Sequence, residues 1–287
     1  DEDRDIQASI HWLQTNQTPW ELVFQHWHNT FNSRRANIEK SMENTLFETF
    51  NTWPILKHPH GYSLIVDDFK RMGLSEETLT IDKWEAFFHR LTSNIKLSQK
   101  DDQLQLLMET LQDTNINEDS KVAVQISILP HLLPPKKMTR RKNKFWKPSI
   151  WNAKDSIIKH AVIPGDITRL REENIRKCKE LKLTIQPYII VVGPTLHEIT
   201  TCYLCIDDTI YNISSTLEAV DICFKTFHVL QLQYPTASEH LWLVIQKCIY
   251  KFTTKWNTII PSTEYIIKTL NENNQLCANI TESTNKN

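Results

Sequence analysis

Cys202-x2-Cys205-x17-Cys223-x4-His228 is a run whose residue types match a zinc ligand set. Its spacing argues the other way. The stretch "TTCYLCI" reads as a strand, where side chains alternate between faces, so Cys202 and Cys205 leave on opposite sides. Sharing a tetrahedral ion would need a sharp turn between them, and Tyr203 and Leu204 supply none. The next segment reads as a helix, on which residues five apart, such as Cys223 and His228, diverge by about 140°. A redox pair would need its first cysteine at a helix N-terminus to lower its pKa, not inside a strand. The expectation is small buried thiols and no metal.

Other candidate chemistry is sparse. His26 and His28 sit about 200° apart around a helix and cannot chelate together. His58 and His60 flank Pro59 in a loop, with no further ligand nearby in sequence, so a loop surface role is expected. The string "HEITT" at residue 197 is not a zinc-protease motif. Gly61, Gly73, Gly165 and Gly193 are isolated, which excludes a P-loop, a dinucleotide fingerprint and a nucleophile elbow. Asp67-Asp68, Asp207-Asp208 and the loose set Asp166, Glu180, Lys182 read as solvated charge. No catalytic residue, metal or cofactor is assigned.

One tract cannot be core. "KKMTRRKNKFWK" carries Lys136, Lys137, Arg140, Arg141, Lys142, Lys144 and Lys147 with no acid, beside Phe145 and Trp146. Its seven positive charges in a chain of net −1 leave −8 on the remainder. Cations that neutralise phosphates, with an aromatic pair that stacks on bases, suit nucleic acid. The two basic clusters also suit a nuclear-import signal, and a solvated linker would carry the same composition.

The elements around these residues divide in character. Up to about residue 133 the period is helical. "TPWELVFQHWHNTF" offers Thr18 and Glu21 as a capping box, Pro19 in the first turn, and Trp20, Val23, Phe24, Trp27 and Phe31 on one face. Ile38, Met42, Leu46 and Phe50 continue the stripe until "WPILKHPHGY" breaks it; Ile81 to Ile95 and Leu104 to Leu111 follow in the same pattern. Such stripes are expected to be core, not a ligand groove. "VAVQISILPHLLPP" then leads into the basic tract. Beyond it, "SIWNAKDSIIKHA" and "DITRLREENIRKCKELKL" read as helices, the second with Ile167, Leu170, Ile175, Cys178 and Leu181 in stripe. "YIIVVG" reads as a fully buried strand, "TTCYLCI" and "TIYNI" as a hairpin turning at Asp207-Asp208, and "SSTLEAVDICFKTFHVL" as a helix capped by Ser215 and Glu218. "SEHLWLVIQKCIYKF" and "STEYIIKTL" close the pattern with two more helices.

The expected fold is therefore α+β and predominantly helical: an N-terminal helical bundle followed by a small antiparallel sheet covered by helices. The expected domains are a helical one over 1–133, a basic linker over 134–148 and an α+β one over 149–287. At 287 residues and 40% hydrophobic, with nine Trp, the chain can fill such cores. No apolar run approaches the roughly 18 residues of a membrane span. Six scattered cysteines are not a disulfide framework, which points to an intracellular setting; sequons at Asn16, Asn212 and Asn279 are no more than chance would give. The acidic opening "DEDRDIQASIHW" lacks an initiator Met, which leaves room for a fragment or a removed leader.

From about residue 120 to 260, "LLPP", "FWKPSIWNAKDSIIKHA", "LKLTIQPYIIVVGP" and "LEAVDICFKTFHVLQLQYPTASEHLWLVIQKCIYKFTTKW" resemble an uncharacterised family of intracellular proteins in arthropod and fish genomes. "WPILKHPHGYSLIVDDF" is similar to it as well. Members standing beside zinc-finger or sterile-alpha-motif modules imply an intracellular, even nuclear, adaptor or a domesticated mobile-element product. The resemblance carries over no activity and no site residue. In it the strand matching "CYLCI" is mostly aliphatic, in keeping with the reading of the cysteines as core.

The functional expectation is a non-enzymatic intracellular interaction protein with an unidentified protein partner, no membrane, and a basic strap that contacts nucleic acid or directs nuclear import. The alternative is a nucleic-acid-processing enzyme with a scattered acidic metal site, which would need three or more carboxylates folded into one cleft.

Overall fold

The computed structural model describes residues 2–40, 46–96, 100–141 and 144–271. Among these it is 60% helical with a small mixed four-stranded sheet, a predominantly helical α+β fold as the periodicity required. The helices of the first stretch are α1 (Glu2–Thr15), α2 (Trp20–Asn29), α3 (Phe31–Lys40), α4 (Leu46–Thr52) and α5 (Gly61–Arg71). Then come α6 (Ile81–Asn94), α7 (Asp102–Gln112), α8 (Glu118–Leu132), strands β1 (Thr139–Arg141) and β2 (Lys144–Trp146), α9 (Ile150–Asp155), β3 (Ile158–Ala161) and α10 (Asp166–Leu181). The rest comprises β4 (Tyr188–Val192), β5 (Thr201–Ile206), β6 (Thr209–Ile213), α11 (Thr216–Val229), α12 (Glu239–Ile245), a π-helical turn (Gln246–Tyr250) and a helix over residues 261–271. β1 and β2 pair with each other, and the larger sheet has the order β3-β4-β5-β6.

Two compact units emerge. The first comprises Asp1–Leu74, Ile167–Ile190 and Thr201–Gln233; the second comprises Ser75–Asp166, Val191–Thr200 and Tyr234–Asn287. This division differs from one drawn through a linker at 134–148, because composition along the chain carries no trace of partners brought together from a distance. In the first unit Tyr211 donates its hydroxyl to the Leu56 carbonyl, and Arg35 donates to the Val229 carbonyl at 2.7 Å.

Inside the first unit α11 packs on α5 and β5, with Phe69 and Phe224 edge to face at 6.2 Å. Ser215 caps α11 by accepting from Glu218 N at 3.1 Å, but the Glu218 carboxylate takes the Ser214 hydroxyl instead of closing the box. The expected cap of α2 does not form: its N-cap is Pro19, with no side-chain bond, and the buried face narrows to Val23 and Trp27. β5 and β6 form the expected antiparallel hairpin, in register from Cys202↔Ile213 to Ile206↔Thr209. Asp207 turns it at φ 53°, in the left-handed region that Asp tolerates better than most residues.

The second unit is built around α8, which is apolar on nearly every side and buried on nearly every side, as such a helix must be. Its polar members are satisfied. Gln125 Oε1 accepts from Trp84 Nε1 at 2.7 Å, Ser127 donates to the Ala123 carbonyl at 2.8 Å, and Ser120 Oγ accepts from Ile199 N at 2.8 Å. α6, capped by Thr80, lays Trp84, Phe87, Phe88 and Leu91 into this core.

Three local expectations are corrected. "SIWNAKDSIIKHA" is not one helix: α9 ends at Asp155 and Ile158–Ala161 becomes β3, where it pairs in the sheet. The stripe of α10 is not buried, and Ile175 lies exposed. The sheet is mixed, not wholly antiparallel, because β3 reaches β4 through the 16-residue α10, a connection that joins parallel strands and not hairpins. Met42 lies outside the described residues.

Candidate nucleic-acid interface

The basic tract is a two-stranded antiparallel ribbon. Thr139 pairs with Trp146, Arg140 with Phe145 and Arg141 with Lys144; Lys142 lies outside the described residues. Local chemistry brackets the ribbon at both ends. On entry, α8 stops at Leu132, His240 Nε2 bonds the Leu133 carbonyl at 2.7 Å, and Pro135 is buried. On exit, Pro148 is buried and Ser149 caps α9 with a full capping box closed by Asn152. A tract read as a linker is thus held between two anchored helices in the second unit.

Lys136, Lys137 and Lys147 are exposed, and Lys137 pairs with Glu239 at 2.8 Å. Phe145 is 68% exposed while Trp146 is half-buried, so the aromatic pair splits into one outward ring and one that packs. Sequence reasoning missed a second outward ring: Trp151 on α9 is 58% exposed, with Lys154 Nζ 4.0 Å from its ring centroid. The clue lay in "FWKPSIW", where the third aromatic sits in the first turn of a helix too short to bury it.

The other candidates are accounted for by packing. Cys202, Cys205 and Cys223 are buried thiols outside any disulfide, and Cys277 lies outside the described residues. Burial, with Cys205 nearby, raises the Cys223 pKa well above that of an ordinary thiol. His26 bonds Ser9 Oγ at 3.0 Å, His28 bonds Asp67 at 2.8 Å, and His58 stacks on Trp20 at 4.7 Å with His60 beside it at 5.5 Å. Asp68 is buried against Arg34, and Asp208 lies 3.7 Å from Lys57. Among the described residues, no group of three or more His, Cys, Asp or Glu side chains could hold a metal ion, and no helix is long and apolar enough to cross a membrane.

His228 yields a pH prediction. It packs on Phe224 and Phe69, and burial depresses its pKa to about 4 from an ordinary value of 6.5. Between those values the unfolded chain binds the proton and the folded chain does not. Stability is therefore full above pH 6.5 and falls as pH drops towards 4, by at most about 3 kcal/mol. Urea midpoints measured across that range should decline in the parent and decline less in His228→Gln; equal slopes would refute the assignment.

No family model, curated protein or solved structure matches the chain.

Proposed function

We propose that this chain is a non-enzymatic, intracellular interaction protein that touches nucleic acid through its basic ribbon, and that the family resemblance over residues 120–260 reflects common descent. The observation that supports the reading is the antiparallel pairing of Thr139–Arg141 with Lys144–Trp146. A two-stranded ribbon fits the major groove of duplex DNA, whereas a flexible linker would lose its conformational entropy on every encounter. Seven cations neutralise phosphates, and the exposed rings of Phe145 in the ribbon and Trp151 on α9 offer stacking surfaces. The remainder of the chain, at −8 by difference from the net −1, repels a polyanion, so contact is confined to the ribbon and tolerant of sequence.

With all seven cations engaged, log affinity falls with log salt at a slope no steeper than about −6 on duplex or −5 on single strands. Replacing the seven with Gln abolishes binding and leaves the fold intact. The same variant, followed in cells, loses nuclear accumulation if the tract also acts as an import signal. A variant that matches the parent in both assays would remove the nucleic-acid reading.

A further inference from the structure

Within the second unit, α6 and the π-helical turn Gln246–Tyr250 pack together beside a cleft of about 580 Å³ lined by Glu77, Lys83, His89, Arg90, Cys248 and Lys251, among others. Two backbone features mark the place. π-Turns are rare and recur at functional sites, and Lys251, which caps this one, sits at φ 57°, where a side chain is strained. The surroundings hold that conformation firmly. Ser75 donates to the Tyr250 carbonyl at 2.6 Å, Lys247 pairs with Glu264 at 2.5 Å, and Gln246 bonds Tyr234, Asn257 and the Phe252 carbonyl at 3.0–3.2 Å.

The charges lining the cleft do not balance. Lys83 and Lys251 converge on one carboxylate, Glu77, each on its own oxygen, at 2.5 and 2.6 Å. The second carboxylate, Glu85, is already engaged by Lys121 at 3.0 Å and Gln125 at 3.1 Å. Arg90 donates only Nε, to the Ala86 carbonyl of its own helix at 3.2 Å, and among the described residues no carboxylate lies within 4.0 Å of it. Among the described residues, neither Nη group of its fork has a hydrogen-bond partner. Burial pushes the Cys248 thiol up to about 12, so it adds no negative charge at neutral pH. Ala86 and Ile249 supply apolar wall.

We propose that this cleft binds a small organic phosphate, with the phosphate bridging the Arg90 fork and the Lys83–Lys251 pair, and the organic part lying against Ala86 and Ile249. A dianion matches this set better than a carboxylate does. Arg90 alone satisfies a monoanion, whereas a phosphate monoester offers three oxygens to three cations. Glu77 is then an internal competitor for the two lysines. Two opposite effects follow from the same geometry: loss of Arg90 weakens binding, and neutralising Glu77 strengthens it.

Calorimetric titration of the full chain with phenyl phosphate tests this, with inorganic phosphate and benzoate as comparison ligands. Phenyl phosphate is expected to bind more tightly than either. Arg90→Gln should weaken it by about tenfold or more, and Glu77→Gln should tighten it several-fold, as expected for charge-assisted contacts. Ala86→Glu, at an exposed helical position that suits Glu, should remove binding with no change in thermal midpoint. The ribbon variant with seven Gln should bind phenyl phosphate like the parent, which separates this site from the nucleic-acid reading. The proposal falls if phenyl phosphate gives no saturable heat, if benzoate binds equally well, or if Glu77→Gln weakens binding while Ala86→Glu leaves it unchanged.

Discussion

Asp68→Ala is expected to destabilise the chain by about 3–5 kcal/mol, measured as a fall in the urea midpoint at constant slope. Its partner Arg34 is the reason. Arg34 Nη2 donates to Asp68 Oδ1 at 2.5 Å, with 2% and 4% of the two side chains exposed. Arg34 Nη1 bonds Thr30 Oγ1 at 2.5 Å and the Trp27 carbonyl, and the guanidinium lies 3.4 Å from the Trp27 ring centroid. Burial is the leading influence on both partners, raising the Asp68 pKa and lowering that of Arg34, ahead of the attraction between them. The pair therefore does not derive its value from Coulomb energy. Removing the carboxylate leaves a guanidinium buried without its counter-charge, whereas the double change Arg34→Met, Asp68→Leu removes both desolvation penalties and should recover most of the loss. A single variant less stable by under about 1 kcal/mol would mean that water reaches the pair.

Gly193→Ala should be at least as damaging, at about 4 kcal/mol or more. A Cβ at that position would sit 2.0 Å from the Glu198 carbonyl oxygen and 2.9 Å from Ile199 Cα, both backbone atoms that cannot rotate aside. Nor can Gly193 retreat. Its N–H donates to the Ala161 carbonyl at 3.0 Å and its carbonyl bonds His160 Nε2 at 2.7 Å, while the opposing segment is fixed by Ile199 N to Ser120 Oγ at 2.8 Å. Gly165→Ala is the control, because its Cβ would meet only the end of the Ile163 side chain at 3.7 Å. Thermal unfolding of the two variants should differ widely; similar midpoints would refute the clash.

The sequence was most legible where one local rule sufficed. The helix α6 follows from its Thr80 cap and the spacing of Trp84, Phe88 and Leu91, and β4 from five β-branched or aromatic residues in a row, all buried. The hairpin of β5 and β6 follows from its turn pair. It was least legible where a segment's character depends on what it meets. β3 has the composition of the helix it follows. The stripe on α10 has helical spacing yet no buried residue. The basic tract was legible as charge but not as a ribbon, since Lys and Arg are poor strand formers and the pairing depends on what holds its ends. Neither the Arg90 cleft nor the π-turn beside it leaves a local signature, because residues 77–90 and 248–251 are brought together only by the fold.

The bond between Leu56 and Tyr211 joins residues 155 apart in the chain, and that separation is also an interval of time. At roughly 5–20 residues per second, a ribosome making Leu56 reaches Tyr211 about 8–30 s later. Throughout that wait the face of α5 that α11 will cover, Phe69 included, has no native cover, on a timescale far longer than the microseconds in which helices form. Exposed apolar surface that waits this long is the kind of surface that makes a growing chain prone to aggregate.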